Sequence, residues 1–135
     1  MHRDDGFPDF FPDECPPDCA NFDFKDMKVF RISNEENEVT MKSFRSYFQD
    51  KIPLKHPDNL YRNYAVSVFE DLQGLHHSYE ASGILRKSYP SKIILEGTLK
   101  EKSGATLKKG NNSHVSWWIK HDYDPTREFE FLKEV

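Results

Sequence analysis

Cysteine is scarce in this chain: Cys15 and Cys19, spaced C-x₃-C inside "ECPPDC", are the only two. Structural zinc takes four ligands, usually as two paired clusters, and no second pair exists here. The six histidines, His2, His56, His76, His77, His114 and His121, form no H-x₃₋₅-H pair. No metal site is expected. The two thiols read as small apolar groups, or as a local disulfide in an oxidising compartment. Glycine numbers only six, and neither a P-loop nor a dinucleotide fingerprint occurs. No apolar run approaches the ~20 residues of a membrane helix. The N-terminus "MHRDDGFPDFF" has no apolar segment of the kind a secretory signal needs. A soluble, intracellular, cytoplasmic protein without membrane contact is expected. The net charge of −4 argues against general nucleic-acid binding.

Aromatic residues are plentiful: eleven Phe, six Tyr and two Trp among 135 residues. They suit one domain with a real core. Their distribution is uneven. Residues 1–24 hold five of the phenylalanines, four of the eight prolines and seven carboxylates against Arg3, a charge of −6. The other 18 basic and 16 acidic residues leave the body at +2. Proline removes backbone donors and fixes φ, so residues 1–24 read as an extended acidic arm. Five phenylalanines are too many for a solvated tail. The arm is expected to be pinned by Phe10, Phe11, Phe22 and Phe24 to a single domain spanning 25–135; a partner-binding arm is the alternative.

Hydrophobic periodicity gives the elements. "MKVFRIS" alternates as a strand. "VTMKSFRSYFQD" spaces Met41, Phe44, Tyr47 and Phe48 as a helix, with Thr40 as a candidate N-cap. "YAVSVF" is a strand with Tyr64, Val66 and Val68 on one face. Asp71 caps a helix carrying Leu72, Leu75, His76 and Tyr79. "SKIILEGTL" is a strand, "KEKSGATLKKGNNS" a Gly- and Asn-rich connection forming a hairpin with a ragged loop, "HVSWWI" a strand, "HDYDP" a turn and "REFEFL" a last strand. The fold class is α+β: one mixed or mainly antiparallel sheet with about two helices, in the order β-α-β-α-β-β-β after the arm.

Period-two geometry sends Val115, Trp117 and Ile119 to the core. It leaves His114, Ser116 and Trp118 on the other face, roughly 7 Å between neighbours. Either Trp118 covers the sheet while His114 and Ser116 simply face water, or Trp118 stacks a ligand or partner beside His114. Arg31 interrupts an apolar strand and needs an acid, a phosphate or solvent. It reads as an ion pair, or as an anion clamp completed by Arg45 and Ser46.

The order "CPPD", "VFR", "SFRS", "SVF" and "SHVSWW" resembles a group of small uncharacterised bacterial proteins to which no activity attaches. An arginine on an early strand, "YAVSVFEDLQGLHHSYEA", "KIILEGTL" and a late histidine strand are also similar to ADP-ribosyltransferase-type domains. That resemblance implies NAD as the substrate, Arg31 and His114 at the site, and Glu130 as the acid. The chain departs from that family in lacking a Ser-Thr-Ser strand and a Q-x-E loop. Two functions follow. One is a binding module that takes a partner protein or small nucleotide-like ligand on Trp118, Ser116, Arg45 and Ser46. The other is a small enzyme using His114, Arg31 and Glu130.

Overall fold

The computed structural model describes residues 5–50, 61–108 and 113–132. Among the described residues six strands form one antiparallel sheet: β1 Met27–Ser33, β2 Val66–Phe69, β3 Ile93–Leu99, β4 Gly104–Leu107, β5 His114–Ile119 and β6 Phe129–Phe131. Their spatial order is β4-β5-β2-β1-β3-β6. Three α-helices accompany them among the described residues: α1 Tyr47–Asp50, α2 Leu72–Ala81 and α3 Gly83–Ser88. The class is therefore α+β, and every strand pairing is antiparallel.

Local chemistry explains most boundaries. Asp71 accepts a hydrogen bond from the Gly74 amide and starts α2, as expected of an N-cap. Leu75 and Tyr79 are buried beneath that helix while His76 is exposed, so the apolar stripe is narrower than the spacing implied. Ser82 caps α3 in the same manner, accepting from the Leu85 amide.

Two expectations are corrected. The segment read as one helix over 39–50 is broken. A 3-10 turn spans Met41–Phe44, Arg45 is extended at φ −102° and ψ 145°, and α1 has only four residues. The Ser43 and Arg45 carbonyls point to the Arg31 guanidinium and are not available to a continuous helix. The second correction is β4, a strand of its own within the stretch read as a hairpin connection. It pairs Ala105 with Trp118 and Thr106 with Trp117. Gly104 opens it at φ 155°, and a Cβ there would sit 1.8 Å from the Trp118 carbonyl oxygen. Only glycine combines that backbone with that approach.

Alternation divides the sheet into two faces. Val29, Val68, Leu95, Leu99, Val115 and Trp117 form the main core beneath Phe24, Phe44 and Phe129. The opposite face is covered twice. Phe30, Ile32 and Phe69 lie under Leu75, Tyr79 and Tyr89. Trp118, Ala105 and Ala65 lie under Phe7, Phe11, Cys15 and Ala20. Phe7, Phe11 and Phe24 are buried, whereas Phe10 and Phe22 remain exposed. Asn21 exchanges two backbone hydrogen bonds with Thr106, so the outer edge of β4 does not offer a bare ladder there. Cys15 is buried and Cys19 exposed, and they are not joined in a disulfide.

Both indoles are fully buried, and both are satisfied. Trp117 Nε1 donates to Ser103 Oγ at 2.9 Å, and Trp118 Nε1 donates to the Tyr61 carbonyl at 3.0 Å. Trp117→Ala and Trp118→Ala are each expected to cost about 3–5 kcal/mol, the range for large aromatic truncation in a core. Deleting residues 1–24 should lower the melting temperature and red-shift tryptophan emission as Trp118 meets water. An unchanged melt and spectrum would contradict this packing.

Candidate functional site

Arg31 is buried on β1, and its guanidinium is spoken for. Nε donates to the Ser43 carbonyl at 2.9 Å and Nη1 to the Ser67 carbonyl at 3.0 Å. Nη2 donates to the Arg45 carbonyl at 3.1 Å and to the Tyr89 hydroxyl at 3.3 Å. The ion pair and the anion clamp both give way to a cage of neutral oxygens. Such a cage suits a planar fork of donors and would not suit lysine.

The residues meant to complete the clamp do other work. Ser46 and Gln49 form a reciprocal cap on α1: Gln49 Oε1 accepts from the Ser46 amide, and Ser46 Oγ accepts from the Gln49 amide. Arg45 is exposed and pairs with Asp50 at 3.7 Å. Burial pushes the Asp50 carboxyl above its usual range, while the charges of Arg31 and Arg45 pull it down.

The turn that supplies two of the carbonyls is held by Glu35. Its carboxylate accepts from the Thr40 amide at 2.9 Å and from the Thr40 and Ser43 hydroxyls. Burial raises the Glu35 pKa, but these hydrogen bonds outweigh it and hold the carboxyl below its ordinary value. A depressed carboxylate stabilises the fold above its unfolded pKa, and that stability is lost as pH falls through the folded value.

His114, Ser116 and Ser67 share one face of the sheet, since Ser67 pairs with Ser116 and Phe69 with His114. All three serine and histidine residues are half-buried. His114 Nε2 lies 2.9 Å from Ser67 Oγ, and its ring meets Phe69 edge-on at 5.5 Å. Arg31 and His114 thus meet at a single residue: one holds the Ser67 carbonyl, the other its hydroxyl. Trp118, expected to be exposed on this face, is instead sealed beneath Phe7, Phe11 and Cys15. Alternation predicted the face correctly but not what covers it. Glu130 is exposed on β6, directly across from Glu96. Strands β2, β1 and β3 lie between it and His114, a span of roughly 19 Å at about 4.8 Å per strand. The trio His114, Arg31 and Glu130 is not assembled.

A cleft that no motif announced lies elsewhere. Phe10 and Phe11, Met41 and Phe44, Gln49, Tyr64, Ile119, Lys120, His121 and Tyr123 surround a cavity of about 200 Å³. Phe10 stacks on Phe48 at 5.7 Å, and Phe48 lies 4.6 Å from Tyr64. Phe10, Met41 and Phe48 are 42%, 46% and 42% exposed, so a run of large apolar side chains meets solvent beside the cavity. The sequence signal was present but dispersed: "PDFF", "TMKSF" and "IKHDY" are far apart in the chain and contribute few residues each.

Among the described residues no group of three or more His, Cys, Asp or Glu could hold a metal ion. No helix among them is long and apolar enough to cross a membrane. A scan against protein-family models, a search of curated proteins and a search of solved structures find no match.

Two measurements test the guanidinium cage. Arg31→Lys should lower the unfolding free energy by about 3 kcal/mol, because buried acceptors lose their donors. A loss under about 0.5 kcal/mol, the range of surface changes, would contradict the cage. In acid, stability should fall below pH ~4.3, the ordinary Glu value, as Glu35 protonates. Glu35→Gln should flatten that part of the pH profile.

Proposed function

We propose that this domain is a binding module whose ligand seats in the aromatic cleft rather than on the sheet face. The observation that carries the reading is the exposure of Phe10 and Met41 on an open cavity, with exposed Phe48 stacked on Phe10. Contiguous exposed apolar surface is costly in water unless something covers it, and a concave apolar site with a few polar groups is the usual form of a ligand pocket. A small ligand suits the cavity better than a protein segment. Residues from the arm, the 41–49 region and the end of β5 all contribute, so the arm is part of the site.

A second reading, a small enzyme acting on a nucleotide-type substrate such as NAD, has one observation in its favour. His114 Nε2 is within hydrogen-bond reach of Ser67 Oγ, the relation a base needs to a hydroxyl nucleophile. Arg31 does not support it, since four of its donors face protein oxygens.

The two readings part in one experiment. A set of single-ring aromatic fragments is titrated into the ¹⁵N-labelled chain. Amide shifts should centre on Lys120, His121 and Tyr123. Phe10→Ala should weaken the effect at least about fivefold, because central aromatic contacts carry much of the binding energy, while His114→Ala leaves it unchanged. Shifts centred on His114, Ser116 and Ser67 would favour the enzyme reading and overturn the proposal.

A further inference from the structure

We infer that the ligand of the aromatic cleft is a small, flat aromatic monocarboxylate. This rests on the proposal that the cleft is a binding site and adds the chemistry of its occupant. Size comes first. The cavity measures about 200 Å³, below the roughly 300–1,000 Å³ of pockets that take drug-sized molecules, so one ring system fills it. Shape follows from the walls. Phe10, Phe11, Phe44, Tyr64 and Tyr123 offer rings, and Val66 and Ile119 add apolar surface. Aromatic groups pack offset or edge-on against one another, which favours a flat ring over a branched aliphatic group.

Charge decides the rest. No Asp or Glu lines the cavity, while Lys120 and His121 do. Among the described residues no carboxylate lies within ion-pair distance of Lys120. Its stem runs over Gly6, where a Cβ would come 3.6 Å from the Lys120 Cδ, so the chain is supported up to its charged end.

Gln49 adds one neutral donor. Gln49 Oε1 already accepts from the Ser46 amide at 3.0 Å, leaving its NH₂ as the unused half of the amide. His121 Nδ1 lies 3.1 Å from the Gly6 carbonyl; a carbonyl only accepts, so the proton on that nitrogen is used within the protein. A lining with one ammonium, one amide donor and no carboxylate matches an acceptor-only group of single negative charge. An aromatic amine would set cation against cation.

The test uses the full chain, ¹⁵N-labelled, titrated separately with benzoate, benzyl alcohol, benzylamine and acetate. Benzoate should shift the Lys120, His121 and Tyr123 amides with an affinity about tenfold above that of benzyl alcohol, the ratio that ~1.4 kcal/mol supports. Benzylamine and acetate should bind more weakly than either. Lys120→Gln should remove the preference for benzoate over benzyl alcohol. Equal binding of benzoate and benzyl alcohol to the wild type would overturn the inference and leave the cleft standing as a site. Acetate matching benzoate would overturn the aromatic half. If none of the four moves those amides, the inference and the proposal it rests on both fail. The wild-type comparison decides these outcomes even if Lys120→Gln folds poorly.

Discussion

One buried guanidinium holds together segments that the sheet alone does not. Between β1 and β2 only Phe30 and Phe69 are in register, against seven paired positions between β1 and β3. Beside that sparse ladder Arg31 bonds the Ser67 carbonyl on β2. It also bonds the carbonyls of Ser43 and Arg45 and the hydroxyl of Tyr89. The side chain of one strand thus joins the neighbouring strand, the connection between them and the end of α3. A charge in that position is tolerable only because oxygen dipoles surround it. The conformation of the 41–50 region follows: with its carbonyls turned to Arg31, it cannot run on as a helix.

The second constraint is that the sheet has apolar side chains on both faces. A three-stranded meander with one wet face would leave Trp118 in water. Here α2 covers one half of the second face and the N-terminal segment covers the other. What stays half-buried between them is Ser67, His114 and Ser116, the polar residues of that face. Phe7 and Phe11 act as the lid over Trp118, and Phe10, next in the chain, is turned outward toward Phe48. The same short segment therefore completes the core and forms one wall of the cleft.

This division bears on function. Polar atoms near His114 and Arg31 are largely used in holding strands together, through Ser67 above all. The cleft has the opposite character, with large rings exposed and a lysine at its margin. Surfaces of the second kind are where binding energy is available, because their burial is not already complete.

Much of the fold could be read from local pattern. Alternation in "MKVFRIS", "KIILEGTL" and "HVSWWI" located β1, β3 and β5, and Asp71 before an apolar stripe located α2, because these signals need only a few neighbouring residues. Trp117 fell on the core side by the same rule. The candidate site was far less legible. Trp118 alternates outward as the sequence demands, yet it is buried, since its cover comes from residues about a hundred positions earlier in the chain. Strand β4 has a weak pattern of its own and exists through its pairing with β5. Arg31 was visibly anomalous in an apolar strand, but its partners are carbonyls, and backbone oxygens leave no mark in a sequence. Glu130 and His114 both sit on strands, and only the order of strands in the sheet separates them. By itself the sequence determined which residues alternate, where the chain turns and which segments are apolar, because those are properties of neighbours. The tertiary structure alone decided which faces are covered, what a buried charge touches and which distant rings meet around a cleft, because those depend on contacts made far along the chain.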